Sequence, residues 1–326
     1  MSKSDKILIT GVKPTGRPHI GNYFGSMKQV VDTQDKYQSM IFIADYHALT
    51  TEQDADEMRK NILDIAIDYL TIGINPEKTL IFKQSDIPEI TELGWIFNCI
   101  TTMPYLMRAH AFKDAEAKNK EINVGVFDYP LLMAADILIQ GADIVPVGQD
   151  QKQHIEIARD TAEKFNRTFG ETFKPPEPLI IKEIETIPGT DGQKMSKSYK
   201  NTIGLFAEDE EIKKGVMSIP TDSKGVGESK DPENCNVFAL HKIFSQDNLS
   251  ELERRYREGG IGYKESKEIL IANISAFITP LREKRKEISK DKDAIIKIIK
   301  NAGEIAREKA MLKMREVKDK IGVNNL

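Results

Sequence analysis

The chain has 326 residues, 40% of them hydrophobic and 30% charged, with 47 Lys+Arg against 51 Asp+Glu for a net charge of −4. That length exceeds the usual single-domain size and that composition can bury a sizeable core, which excludes disorder as the default state. A basic character over the whole chain, the crude footprint of many nucleic-acid binders, is absent.

Taken in chain order, short β-rich runs are predicted at 6–10, 40–44, 79–82, 143–147 and 179–182, each rich in Ile, Val, Leu or Phe. Helical stretches such as 21–37 and 57–73 lie between them. In the second of these, Ile62, Ile65, Ala66 and Tyr69 repeat at 3-4 spacing. Strands alternating with helices imply βαβ units and an α/β doubly wound parallel sheet, Rossmann-like, whose nearly all-apolar strands are buried on both faces. Beyond residue 203 the pattern turns helical, over 212–219, 237–244, 249–258, 263–287 and 294–321, with Pro280 expected to break or kink the fourth. The stretch 220–233, rich in Gly, Ser, Asp and Pro, reads as a loop. The expected organisation is a catalytic α/β domain over 1–203 followed by an all-helical domain over 204–326.

Charge divides unevenly along the chain. Residues 204–326 hold 24 basic and 22 acidic side chains, and 281–326 alone hold 14 basic against 8 acidic. The acidic excess therefore lies in the first part, and the terminal helices are either a solvated basic face or a surface for a polyanion. Cys99 and Cys235 lie far apart with no CxxC pair, so two reduced thiols are expected rather than a zinc site or a disulfide framework. The amino terminus has no apolar stretch of signal-peptide length, and no run approaches the ~18 apolar residues of a membrane span. A cytoplasmic protein without membrane contact is the expectation.

Three runs carry chemistry. The first strand passes into Gly11-Val12-Lys13-Pro14-Thr15-Gly16-Arg17-Pro18-His19-Ile20-Gly21-Asn22, where a helix begins. Such a junction places backbone N–H groups at the carboxyl end of a parallel sheet, where α/β folds bind ligands, and Lys13 and His19 add donors for phosphate oxygens. The spacing is neither the dinucleotide GxGxxG nor the P-loop pattern. The second run, Ile187-Pro188-Gly189-Thr190-Asp191-Gly192-Gln193 followed by Lys194-Met195-Ser196-Lys197-Ser198, is a Gly-rich loop whose two lysines suit a polyphosphate. The third, Tyr129 to Leu138, is an apolar helix interrupted by one carboxylate, with Met133 and Asp136 on a shared face. It reads equally as a core helix with a paired Asp or as the wall of a pocket for a flat aromatic ligand with one N–H donor.

His19-Ile20-Gly21-Asn22 resembles the HIGH-type signature of class I aminoacyl-tRNA synthetases, in the HIGN variant frequent in the tryptophanyl enzymes, and Lys194–Ser198 is similar to their KMSKS loop. The stretch Tyr129–Asp160, with Val145-Pro146-Val147-Gly148-Gln149-Asp150-Gln151 and His154, resembles the signature stretch of bacterial tryptophanyl-tRNA synthetases, and Gln84-Ser85-Asp86-Ile87-Pro88, Trp95, Phe112-Lys113 and Asp45-Tyr46-His47 match more of it. The resemblance implies a tryptophan–tRNA ligase that activates L-tryptophan with ATP and Mg²⁺ and passes it to tRNA(Trp). It implies a homodimer, and an anticodon-binding role for the helical part. By the same resemblance His19, Asn22, Lys194 and Lys197 are catalytic. ATP is held by Lys13, Thr15, His19, Gly21, Asn22, Gly148, Gln149, Asp150, Ile187, Lys194, Met195, Ser196, Lys197 and Ser198. Tryptophan is held by His47, Met133, Asp136, Val147 and Gln151, with Asp136 accepting the indole N–H. No resident metal is implied. Lys13 stands where the family frequently has Gln, and Gln149 where it frequently has Glu; a lysine there suits ATP phosphate rather than the amino acid's ammonium. The alternatives are a tyrosyl-tRNA synthetase, another nucleotidyltransferase, or a tRNA-binding paralogue that does not charge.

Overall fold

The computed structural model describes residues 4–109, 112–113, 116, 122–148, 152–180 and 187–324. Close contacts divide the chain into two compact units, the first built from Met1–Gly16, Val30–Lys182 and Asp291–Leu326, the second from Arg17–Gln29 and Glu183–Lys290. The longer helices are α1 (Ala55–Ile72), α2 (Glu89–Ile100), α3 (Val124–Ile139), α4 (Lys152–Phe169), α5 (Asp209–Met217), α6 (Asn236–Phe244), α7 (Leu249–Glu258), α8 (Tyr263–Ile288) and α9 (Lys292–Ile321).

The first unit is organised by five strands, β1 (Ile7–Val12), β2 (Gln38–Ile43), β3 (Thr79–Lys83), β4 (Ile144–Val147) and β5 (Glu177–Ile180). They form one sheet in the order β3-β2-β1-β4-β5. Every ladder is parallel, with Ile9 opposite Met40, Met40 opposite Leu80, Leu8 opposite Ile144 and Val145 opposite Pro178. The direction of winding reverses between β1 and β4, and a crevice at the carboxyl ends of the strands is where such a sheet takes its ligand. β2 is buried from Ser39 to Ile43, as a strand covered on both faces requires. The expected runs therefore become strands, each within two or three residues at its ends, and 181–182 of the last lie outside the described residues.

Packing explains why α9 belongs here rather than with the helices that precede it. Ala302, Ala306, Ala310, Met314 and Val317 enter the same apolar core as Phe97, Leu131, Ile155 and Phe165. Small residues allow the close approach: a Cβ on Gly303 would lie 2.8 Å from Asp86 Oδ2, and Gln140 Nε2 donates to the Ala306 carbonyl at 3.1 Å. The compact units thus differ from a division of the chain at 203/204. Residues 17–29 join the second unit and α9 the first, because buried alanines spaced four apart do not announce which core will receive them.

In the second unit α5 and α6 pack on α8. Their buried faces contribute Ile212, Val216, Val237, Phe238, Leu240, Leu270, Ile274 and Ile278. Residues 205–288 carry no β-strand, as the helical pattern anticipated. α8 runs on through Pro280 to Ile288, so of the expected break or kink the break does not occur. Pro280 and Ala276 are both exposed, so the Ala276 carbonyl deprived of its N–H partner can be met by water, which reduces the cost of an interior proline. The helix expected over 21–37 begins at Ile20 as a short α-helical piece, loosens into a π-helical turn at Tyr23–Met27 and resumes at Lys28–Thr33.

Candidate active site

In the first unit the functional side chains gather where the strands end. Lys13 and Thr15 follow β1, His47 lies in the short helix Asp45–Ala48 after β2, Gln84 follows β3, and Val147 and Gly148 end β4. Gly11 must lack a side chain, since a Cβ there would lie 2.5 Å from the Phe42 ring. Asp136 comes from α3, whose Asn123 cap accepts from the Val126 N–H.

Asp136 is 1% exposed and bonded to protein through both carboxylate oxygens. Its Oδ1 accepts from Gln84 Nε2 at 2.8 Å, and its Oδ2 pairs with His47 Nε2 at 2.8 Å and Gln84 Nε2 at 3.0 Å. Burial pushes the Asp136 carboxyl above its ordinary pKa, opposed by the hydrogen bonds from His47 and Gln84. The core reading of this helix is realised, with Asp136 a paired buried carboxylate, and Oδ1, with a single partner among the described residues, keeps acceptor capacity. Met133 is half-buried against the core one turn away, and Val147 is buried in β4. The His47 ring meets Tyr129 edge-on at 6.0 Å, and Tyr129 Oη shares a hydrogen bond with His154 Nε2 at 2.8 Å. The Lys13 ammonium stands 5.8 Å from the Tyr129 ring centroid, within reach of a cation–π contact. Lost hydration lowers its pKa. The Thr15 N–H donates to the Lys13 carbonyl at 2.9 Å, a tight turn after β1. Gln149, Asp150 and Gln151 lie outside the described residues.

The second unit holds the other two motifs together. His19 and Asn22 form a reciprocal cap, with the Asn22 N–H donating to His19 Nδ1 at 3.3 Å and the His19 N–H to Asn22 Oδ1 at 3.1 Å. With Nδ1 accepting, the proton of the neutral ring resides on Nε2 and is offered as a donor. Burial, and after it the charge of Lys197, drop the His19 pKa to about 4, so the ring is neutral at pH 7. The turn is tied to the segment that follows the lysine loop, since the Ile20 N–H donates to the Ile203 carbonyl and the Leu205 N–H to that of Pro18, both at 3.0 Å. Gly21 lies between the motifs, as a Cβ there would be 2.9 Å from His19 Nδ1 and 3.2 Å from Met195 Cβ.

The lysine loop alternates buried and exposed residues. Ile187 and Met195 are each 5% exposed, whereas Lys194, Lys197 and Ser198 face outward. Its organiser is Asn201, a residue the sequence reading passed over. Asn201 Oδ1 accepts from the Ser196 N–H at 2.7 Å, and its Nδ2 donates to Asp191 Oδ1 at 2.7 Å and to the Lys194 carbonyl at 3.2 Å. Ser196 Oγ in turn accepts from the Ser198 N–H at 3.3 Å. Gln84 was passed over likewise, although a polar residue directly after an apolar strand of a parallel sheet is a signal that finds such positions. No group of three His, Cys, Asp or Glu among the described residues could hold a metal ion, and no described helix is long and apolar enough to cross a membrane.

A parallel sheet wound in this order, a neutral histidine capped by asparagine and an exposed lysine pair define an enzyme of the class I aminoacyl-tRNA synthetase type. A family model for tRNA synthetases class I (W and Y) matches residues 1–279, and the chain belongs to that family. It is 46% identical to the tryptophan–tRNA ligase of Fusobacterium nucleatum over 320 residues, covering 98% of either chain. Among solved structures it superposes with a TM-score of 0.92 and 44% identity on the tryptophanyl-tRNA synthetase of Campylobacter jejuni complexed with ADP and tryptophan, over 97% of this chain and 99% of that one. The tryptophanyl-tRNA synthetase of Mycoplasma pneumoniae follows at 0.80 and 26% identity, with 98% of both chains covered.

Proposed function

We infer that this chain is a ligase that joins L-tryptophan to ATP as the aminoacyl adenylate, releasing pyrophosphate, and then transfers the acyl group to the terminal adenosine of tRNA(Trp). The observation that carries the reading is Asp136, a buried carboxylate on an apolar helix with a spare acceptor position beside Met133. Indole offers one donor and no acceptor, so Oδ1 selects for it, and Met133, Val147 and His47 flank the ring. A hydrogen-bond mismatch at such a site is worth several orders of magnitude, which makes an editing step unnecessary.

The amino acid's carboxylate is ionised near neutral pH, so attack on the α-phosphorus needs no general base. The work is positioning and charge stabilisation. Nε2–H of neutral His19, together with Asn22, donates to phosphate oxygens without adding a charge beside Lys197. Lys194 and Lys197 neutralise the charge that builds on the departing pyrophosphate. Lys13, held at the face of Tyr129, serves the ATP phosphates, with Thr15 and Gly21 giving room for the backbone to approach. Ile187 and Met195 flank the adenine, Ser196 and Ser198 shape the loop, and Gly148 with Gln149 and Asp150 takes the ribose, leaving Gln151 near the ammonium. Magnesium enters as part of the substrate, bound to the triphosphate.

The helices after residue 204, with their basic excess at 281–326, bind the anticodon end of the tRNA, and the protein works as a homodimer in the cytoplasm. ATP–pyrophosphate exchange run with each of the twenty amino acids tests the reading. Exchange with tryptophan alone is the expected result. Exchange with tyrosine, or tight tRNA binding with no exchange, overturns it.

A further inference from the structure

The one fully buried amide in the first unit's polar cluster has a placement that the assignments above leave without a purpose. Gln84 is 0% exposed. Its Oε1 accepts two main-chain donors, the N–H of Tyr46 at 3.1 Å and of His47 at 3.3 Å. An amide flip would set NH₂ against these N–H groups, so its orientation is fixed by the backbone. The opposite end then has to present Nε2, and both oxygens of Asp136 receive it. The turn that carries Gln84 is braced in its own right. Asp45 Oδ1 accepts from the N–H groups of Ser85 and Tyr46, both at 3.0 Å, and its Oδ2 accepts from Ser85 Oγ at 2.5 Å.

We propose that Gln84 determines the enzyme's selectivity by holding Asp136 as an acceptor-only carboxylate whose one spare lone pair lies on Oδ1. The argument rests on the tryptophan reading given above. Two proton placements are open to the Asp136–His47 pair: a carboxylate accepting from Nε2–H, or a carboxylic acid with a bare Nε2. Burial favours the acid, and so does the negative charge of Asp45. An acid at Asp136 would offer a donor where indole needs an acceptor, and it would suit a ligand hydroxyl as well. A fixed NH₂ facing both oxygens favours the carboxylate, because it bonds to lone pairs and is repelled by an added proton. It also takes up acceptor capacity: Oδ2 has two partners and Oδ1 has one, so the incoming N–H has a single oxygen to choose. Gln84 itself need touch no reacting atom; it is a positioning residue acting through Asp136.

The test measures pyrophosphate exchange for the full-length protein with tryptophan and with β-(3-benzothienyl)alanine, in which sulfur replaces the indole N–H. Wild type is expected to prefer tryptophan by roughly a hundredfold or more, and Gln84→Met to lower kcat/KM for tryptophan about thirtyfold, mostly through KM, while changing the analogue by less than about threefold. The titratable groups facing this position are Asp136, His47 and Asp45. Gln84→Glu keeps the acceptor for Tyr46 and His47 but places a second carboxyl against Asp136, so the pair shares a proton. Its KM for tryptophan should fall as pH rises between about 6 and 9, because loss of the shared proton returns Asp136 to its acceptor form, whereas that of wild type stays nearly level. Equal losses for both amino acids, no loss at all, or a Gln84→Glu profile parallel to wild type would overturn the proposal. Wild type active with tyrosine but not tryptophan would overturn the functional reading and this inference together.

Discussion

His19 shows how one cap can settle a protonation state. Its Nδ1 is committed to the Asn22 N–H, and burial together with Lys197 lowers its pKa from the usual 6.5 to about 4. The ring therefore gains no charge between pH 5.5 and 8, and we expect kcat for pyrophosphate exchange to show no inflection near 6.5. His19→Ala removes one preorganised donor and should lower kcat about 10²-fold with little change in the KM for tryptophan. A profile falling tenfold per unit below pH 6.5, absent in His19→Ala, would contradict that assignment. Gly21 makes the same point sterically: with His19 Nδ1 2.9 Å and Met195 Cβ 3.2 Å from where its Cβ would be, Gly21→Ala must displace the cap or the loop. The motif letters gave away these positions. Their tautomer and crowding needed coordinates, because a four-residue string does not say what packs upon it.

The geometry of the lysine loop passes through Asn201. Gly189 gives way to it so closely that a Cβ would lie 2.2 Å from Asn201 Nδ2. Asn201→Ala deletes three side-chain hydrogen bonds of about 1 kcal/mol each and leaves the Ser196 N–H unpaired. Lys194 and Lys197 then lose their common frame. We expect kcat for adenylate formation to drop about 10- to 100-fold and the KM for ATP to rise. Tryptophan affinity measured by equilibrium dialysis without ATP should stay within about twofold, since Asp136, Met133 and His47 belong to the first unit; an equal loss of tryptophan binding would count against this. Strands and helices were readable from periodicity, and the motif loops from their residue strings and the family resemblance, because each is written in neighbours along the sequence. The bond Gln84 makes was not, since Asp136 lies 52 positions away, and Asn201 was passed over although Ser196, Lys194 and Asp191 lie within ten. The helix expected over 263–287 continues through Pro280 rather than breaking there, because the proline penalty depends on which face meets water.

His241, 0% exposed and bonded to Ser245 and Ser266, also has its pKa lowered to about 4. In the unfolded chain both His19 and His241 take up protons near pH 6.5. Between pH 6.5 and 4 the unfolded state thus binds more protons than the folded one, and stability falls with falling pH. Above 6.5 the contribution is complete and flat. The full effect is on the order of 3 kcal/mol for each ring by this linkage. The urea midpoint of the second unit should be level above pH 7 and decline below it, and His241→Gln should reduce the decline relative to its own value at pH 7. A midpoint unchanged from pH 7 to 4.5 would refute the linkage.

Taken whole, the molecule corrects the scale on which its charge was read. The net of −4 hides 14 basic and 8 acidic residues in 281–326. That basic run is shared out between the units, 281–290 in the second and α9 in the first. One surface of the first unit is apolar instead. Leu49, Trp95, Met103, Met107 and Val124 are 50%, 70%, 66%, 47% and 79% exposed. They lie on adjoining elements, since Thr50 comes within 3.5 Å of where a Cβ on Gly125 would be, and Asn98 Nδ2 donates to Asp128 Oδ2 at 2.9 Å. Large apolar side chains exposed on neighbouring elements are the kind of surface that a self-complementary contact about a twofold axis would cover. Trp95 is the only tryptophan of the chain and so reports on its own surroundings. We expect sedimentation at micromolar concentration to give twice the chain mass, and Trp95 emission to move to longer wavelength on dilution as the indole meets water. Trp95→Glu places a charge on the face such a contact would bury and should shift the equilibrium at least tenfold toward monomer. A wild-type protein that sediments as a monomer, with emission independent of concentration, would leave this face needing another explanation.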